Sequence, residues 1–302
     1  MHAMHCSDTR SRWRRVLGAV GCLLAAAATA ATPGPRPRAA PLLLWALTEQ
    51  GTLLQVAADR PADVRRQVTL RGLPGDEALI GIDYRVARGT LYGVTTAARV
   101  VVIDTASGEV RPVGPPQPLA LGPGPFGVDF NPAADRIRLV GADGLNARLH
   151  PDTGVLVDFD PQADGVQRDP DLRYEDGDAR AGQPPRIVAA GYTYNTRDER
   201  KTTNYALDAA AGTLVRQGSH EDAVPAVSPN LGRLVTIGPL GLGPLLDASF
   251  DISDVGNEAL AAVRTADVPY TRLVRIDLAT GRATVIDRVG DGQPLRGLAI
   301  EP

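Results

Sequence analysis

The densest run of chemically capable side chains is Asp129, Asn131, Asp135, Arg136, Arg138, Asn146 and Arg148. Side chains alternate faces along a strand. Arg136 and Arg138 therefore share a face, an adjacent strand brings Arg148 beside them, and Asp129 can lie across the hairpin. Guanidinium and carboxylate groups so arranged form a lattice able to hold an anionic ligand. The same lattice also serves as an internal network, with each arginine satisfied by Asp or Asn, and that structural reading is favoured. A second set, Asp83, Asp129 and Asp251, occupies similar places in three apolar segments, with Glu175 a looser fourth. If those segments converge, the carboxylates make an all-oxygen cation site suited to calcium. The plainer alternative is that each aspartate only caps the turn after its strand.

Other chemistries are narrowed by scarcity. Cys6 and Cys22 are the only cysteines, and His150 and His220 the only histidines beyond residue 30. The body of the chain thus has no thiol for a disulfide, a metal or a nucleophile. It lacks the histidines for a three-histidine zinc site, and any serine triad must use one of two histidines that have no nucleophile near them in sequence. Asp176-Gly177-Asp178 begins like a calcium loop, but Arg180 and Gly182 interrupt the alternating ligands, so it reads as a surface turn. Tyr192 and Tyr194 suit either a binding surface or one face of a strand.

The elements that position these residues begin after an export signal. Arg10, Arg12, Arg14 and Arg15 precede a short apolar run from Val16 to Ala28, then the cleavage-type Ala28-Thr29-Ala30. Residues 1–30 are expected to be a signal peptide, residues 31–41 a Pro-rich linker, and residues 42–302 a single domain. Lipidation at Cys22 and twin-arginine export through Arg14-Arg15 are less favoured than simple cleavage. The expected location is outside the cytoplasm, periplasmic or secreted. No stretch reaches the roughly 20 apolar residues of a membrane span. Losing four arginines and Asp8 with the signal takes the formal net charge from −3 to −6. No basic stripe exists, which excludes nucleic acid as a partner.

A repeat sets the fold. Gly81-Ile82-Asp83-Tyr84 recurs as Gly127-Val128-Asp129-Phe130, and the pairs Gly89/Asp135 and Gly108/Gly154 keep the same offset of 46 residues. Turns of the form D-x-x-x-G lie at Asp104–Gly108, Asp208–Gly212 and Asp277–Gly281, with His150–Gly154 as a variant. In each, the aspartate caps its own turn and the glycine takes the positive φ that closes a hairpin. Strands sorted around these turns give units of four. The first unit, Leu42–Thr48, Thr52–Val56 and Val64–Leu70, is one short, and Leu295–Ile300 is left over at the far end. Pairing the two closes a ring. The expected fold is an all-β propeller of about five four-stranded blades. A sixth blade containing Leu234–Ile237 and a β-sandwich are the alternatives. In this scheme the third unit ends with Val155–Phe159, and the fourth opens with Leu172–Glu175 as its first strand.

Longer motifs carry a family resemblance. G-V-D-F-N-P-A-A-D-R-I-R-L-V from Gly127 and G-L-N-A-R-L-H-P-D-T-G ending at Gly154 stand beside L-x-G-I-D-Y-R (Leu79–Arg85) and L-Y-G (Leu91–Gly93). G-V-Q at Gly165–Gln167, G-D-A-x-A-G at Gly177–Gly182 and I-D-L-A-T-G-R-A-T at Ile276–Thr284 complete the set. Over roughly Leu42 to Ile300 the chain resembles the family catalogued as domain of unknown function 4394. The resemblance implies an exported, mostly bacterial, propeller-like domain with no assigned reaction. Thr193–Lys201 departs from it, carrying Arg197, Asp198, Glu199 and Arg200 where the family is small and neutral.

The residue inventory and a fold that presents broad faces lead to a non-enzymatic binding or interaction propeller. It is expected to be monomeric, to take a small ligand or an envelope protein as partner, and to need no cofactor other than a possible calcium ion. A calcium-dependent hydrolase or lactonase-like enzyme using channel carboxylates is the first alternative. A structural cell-surface component is the second.

Overall fold

The computed structural model describes residues 41–302. The expected signal peptide and nearly all of the Pro-rich linker, including Cys22 and Arg14-Arg15, lie outside the described residues.

Alternation of long apolar segments with glycine turns produces five sheets, antiparallel except for one short edge strand. Blade 1 joins β20 (Leu295–Ile300), β1 (Leu43–Thr48), β2 (Thr52–Ala57) and β3 (Arg66–Thr69). Blade 2 is β4 (Leu79–Arg85), β5 (Thr90–Thr95), β6 (Val100–Ile103) and β7 (Val110–Pro112). Blade 3 is β8 (Phe126–Asn131), β9 (Arg136–Gly141) and β10 (Asn146–Leu149). Blade 4 runs outward as β12 (Ile187–Tyr192), β13 (Asn204–Asp208), β14 (Thr213–Gln217), β15 (Arg233–Pro239) and β11 (Arg173–Tyr174). Blade 5 is β16 (Leu245–Ile252), β17 (Ala259–Thr265), β18 (Arg272–Ile276) and β19 (Ala283–Arg288).

The first strand of each sheet packs against the first strand of the next, from β20 through β4, β8, β12 and β16 back to β20. This is a five-bladed propeller. Neither a sixth blade nor a sandwich is formed by the described residues. Between blades lie apolar clusters, such as Trp45, Leu53, Ile82 and Leu91 between blades 1 and 2, or Val188, Leu207, Phe250 and Val263 between blades 4 and 5. Each inner strand is therefore covered on both faces, and every residue of β4 is buried. The ring closes as expected: β20 pairs antiparallel with β1 from Leu44↔Ile300 to Thr48↔Leu295.

Two blade assignments are corrected. Val155–Phe159 is not a strand; it touches β10 through the single bridge Leu149↔Leu156. Leu172–Glu175 does not begin blade 4, because β11 lies at its outer edge, parallel to β15. The reason is physical. In blades 2 and 5 the D-x-x-x-G turn joins the third and fourth strands, whereas Asp208–Gly212 joins β13 to β14, one hairpin further in. A turn motif specifies a tight hairpin and not its distance from the axis. The segment around Leu234–Ile237, set aside for a sixth blade, supplies the missing fourth strand. No helix among the described residues is long and apolar enough to cross a membrane.

Candidate functional site

Strand pairing and side-chain alternation bring Asp83, Asp129 and Asp251 to the central axis. Each occupies the second-last or third-last position of its inner strand, and all three are buried. One carboxylate oxygen from each lies within 4.8 Å of the others. None of them caps the turn after its strand; each reaches sideways to the next blade. Asp83 Oδ2 accepts the Phe130 amide at 2.7 Å, Asp129 Oδ1 accepts the Tyr192 amide at 3.0 Å, and Asp251 Oδ2 accepts the Ile300 amide at 2.6 Å.

This bonding defines equivalent positions around the ring. Phe130, Tyr192 and Ile300 follow directly on residues 129, 191 and 299, so blade 4 places Gly191 and blade 1 places Ala299 where the others place aspartate. Asp251 also turns its second oxygen to its own neighbour, Ile252, accepting that amide at 2.6 Å. Glu175, the looser fourth candidate, is far from the axis; its amide bonds to Leu234 O beside β15.

The electrostatics of the three carboxylates are severe. At 4.8 Å, two full charges repel by roughly 3 kcal/mol even at an effective dielectric of about 20. Burial, followed by the neighbouring aspartates, holds Asp83 and Asp129 well above the ordinary carboxylate range. Burial also pushes Asp251 up to about 7. Above the cluster, burial and then these same charges keep the Tyr194 hydroxyl protonated far beyond its usual range. At neutral pH such a cluster must hold protons or a cation. Its donors are all carboxylate oxygens, which suit a hard ion such as calcium, with water completing the six to eight ligands calcium takes.

The axis is narrowest below the aspartates. Gly81, Gly127, Ala189, Ser249 and Gly297, one from each inner strand, leave about 10 Å³, room for about one water. The glycines are needed for close approach: a Cβ at Gly127 would lie 2.6 Å from Ala190 N. Two clefts open beyond this waist. At the C-terminal ends of the inner strands, a cleft of about 330 Å³ is lined by Arg85, Phe130, Tyr194, Asn195, Glu199 and Asp254, among others. At the N-terminal ends, one of about 570 Å³ includes Ile80, Phe126, Arg186, Asp247, Arg264 and Arg296.

The expected arginine lattice divides in two. Arg138 lies opposite both Asp129 and Arg148 in register, yet its carboxylate partner is Asp169, at 2.6 Å, with both side chains fully enclosed. Arg138 also donates to Asn146 (2.8 Å), the Tyr192 hydroxyl (3.1 Å) and Asn230 (2.6 Å). Arg148 holds the other oxygen of Asp169 at 2.7 Å. Asp135 belongs to a separate group, paired with Arg85 of blade 2, which also pairs with Asp152. The Arg85 guanidinium in turn holds Asp152 below the ordinary carboxylate range. Arg136 leaves the lattice altogether and bonds to the turn carbonyls of Ala134 and Asp135. Asn131 caps that turn, accepting the amides of Ala133 and Ala134.

Asp169, Asp152, Arg85 and Asn230 were invisible to local reasoning. Asp169 is 31 residues from Arg138 and Asn230 is 92 away, the first in a loop and the second in the 3-10 turn Pro229–Leu231, neither of them part of a repeat. Only the bias of the loop 167–171 toward charge, Gln-Arg-Asp-Pro-Asp, marks Asp169 at all. Asp178 of the supposed half calcium loop binds the Thr236 amide and hydroxyl, fastening that turn to β15. His150 accepts the Asp152 amide and His220 the Asp222 amide, so both are local turn formers. Tyr192 is buried at the blade 3–4 joint and Tyr194 lines the smaller cleft, so the two do not share one binding surface.

A five-bladed all-β propeller with inter-blade carboxylates at its axis is the class this geometry defines. The chain belongs to the family described as a domain of unknown function (DUF4394), whose model matches residues 52–299. Among solved structures it is similar to a chain of the nidogen/laminin complex, at 13% identity and a TM-score of 0.48, covering 86% of this chain and 98% of that one. It is also similar to a structural-genomics protein of unknown function from Bacteroides thetaiotaomicron VPI-5482, at 13% identity and a TM-score of 0.43. That match covers 82% of this chain and 58% of the other. No curated protein matches the chain.

Proposed function

We propose that the protein is an exported, monomeric, non-enzymatic propeller that recognises a small ligand or an envelope component through its faces. One observation carries this reading. The charged groups that would have to do chemistry are engaged in joining blades: Asp83 to blade 3, Asp129 and Arg138 to blade 4, Asp251 to blade 1, and Arg85 of blade 2 to blade 3. A carboxylate bonded to the backbone of its neighbour is a fastening, and moving it during a reaction would loosen the ring. The test is turnover. The purified protein is assayed on chromogenic esters, lactones and phosphoesters, with and without calcium. No turnover is expected. Hydrolysis that disappears in a folded Asp129→Asn variant would overturn the proposal.

A second reading is favoured by the spacing of the carboxylates, which places three oxygens within reach of one ion. Here calcium replaces the protons of Asp83, Asp129 and Asp251 and tightens the ring. Binding of an ion to the folded state alone raises stability by mass action. After chelation, added calcium should then raise the melting temperature, and Asp129→Asn should abolish the rise. A melting temperature indifferent to calcium at millimolar concentration removes this reading, along with the calcium-dependent hydrolase.

A further inference from the structure

We propose that the larger cleft, at the N-terminal ends of the inner strands, binds a small monoanionic carboxylate with an apolar body. The inference deepens the binding reading above, on which it rests, by naming a ligand class and a seat.

The starting point is an arginine whose bonds are unmade. Arg296 lies on β20 at the edge of the axis, and its Nε is fully buried without a hydrogen-bond partner. Among the described residues no carboxylate pairs with it. Arg186, which directly precedes β12, faces the same cleft and makes only 3.4 Å contacts, to the carbonyls of Leu245 and Leu246. Those are at the limit of useful geometry. The third arginine, Arg264, is already bonded to Asp247. The guanidinium groups of Arg296 and Arg186 thus leave N–H donors at the cleft open to an acceptor. Guanidinium matches carboxylate through paired N–H donors.

Charge and shape narrow the class. Three arginines face two acids, Asp247 and the exposed Glu49, a surplus of one positive charge. Glu49 at the rim disfavours a dianion. Ile80, Leu121, Phe126 and Leu295 form an apolar wall beside the arginines, which favours a ligand whose charge is confined to one end. A volume of about 570 Å³ falls in the range of small-molecule sites. The waist below it leaves only about 10 Å³, so the ligand is seated in the cleft itself.

The probe is benzoate, with acetate, inorganic phosphate and benzylamine for comparison, titrated calorimetrically into the purified protein at pH 7.5 and constant ionic strength. Saturable benzoate binding is expected, with acetate and phosphate weaker and benzylamine silent. Arg296→Gln should weaken benzoate by about tenfold or more, the worth of one charge-assisted hydrogen bond. Arg186→Gln gives an independent second variant. Arg275→Gln, which removes an exposed arginine of β18 paired with Glu258, should leave binding unchanged and so controls for net charge. Absence of benzoate binding, parental affinity for benzoate in both cleft variants, or tighter phosphate than benzoate would overturn the inference. These results are distinct from the turnover assay: hydrolysis sinks the non-enzymatic reading, whereas missing benzoate binding without hydrolysis sinks only the carboxylate site.

Discussion

The two ends of the propeller axis are built from the same five strands and differ in how completely their charges are used. At the carboxylate end, Asp83, Asp129, Asp251, Arg85 and Arg138 all bond across a joint between blades. At the arginine end, Arg296 has no partner and Arg186 has only long contacts to carbonyls. Charge alone would nominate the carboxylate end as the working site. Bond satisfaction points the other way: closed networks hold a fold together, and open donors are what remains for something else to bind. Substitutions at the carboxylate end should therefore appear in stability, and those at the arginine end in binding.

The largest effect should come from Arg138→Gln. It withdraws one cation from Asp169, which is fully enclosed and keeps only Arg148, at a cost of about 3 kcal/mol. Denaturant unfolding should show a lower midpoint with an unchanged slope. A loss under about 1 kcal/mol would mean the joint between blades 3 and 4 is apolar in its energetics. Gly127→Ala at the waist comes next, at about 2 kcal/mol, because the added methyl meets the backbone of Ala189 and Ala190. Gly81→Ala should cost a similar amount, since its methyl meets the buried Val128 at Cβ (2.7 Å) as well as at Cγ2, and rotation of the side chain does not move Cβ. A loss under about 0.5 kcal/mol in either would deny that close packing of the inner strands at the waist contributes to stability.

Dependence on pH separates the two ends further. Asp251 keeps its proton up to about 7 in the folded protein, while an unfolded aspartate loses it near 3.9. A carboxyl with a raised folded pKa contributes most at low pH and loses that contribution as pH climbs from the unfolded value through the folded one. In chelator, stability should thus fall by about 2 kcal/mol between pH 5 and pH 8. Asp251→Asn should flatten the slope. A melting temperature that rises over this interval would contradict the assigned proton. The smallest effect is expected from Arg296→Gln, whose stability should lie within about 0.5 kcal/mol of the parent, since it breaks no bond the fold has made. A large loss there would place Arg296 among the joints and erase the contrast between the ends.

How far all this could be read from the chain differs by element. Ring closure through Leu295–Ile300 was legible because an inner strand without a hairpin has no other place to pair. The three aspartates were legible because they recur at one position of a repeated strand. Their sideways bonds were not: a repeat shows which positions are alike, and an amide in the next blade is some 47 to 63 residues away. The same holds for Asp169. Blade 4 was misread at its edges because Asp208–Gly212 is chemically the same turn as its counterparts in other blades, while the long loop 218–232 displaces the strand that should follow. Arg296 could not be singled out at all. A missing partner is a property of the folded surroundings and leaves no mark on a linear sequence.

The pairing of β20 with β1 also orders events in time. Blade 1 has no inner strand, and Asp251 has no Ile300 amide to bind, until Leu295–Ile300 arrives. Blades formed earlier in synthesis can pack on one another, but the ring stays open, with the inner edge of β1 unpaired, until β20 is delivered. The strand that seals the finished ring is thus also the latch on Asp251, and one pairing completes a blade and an axial bond together.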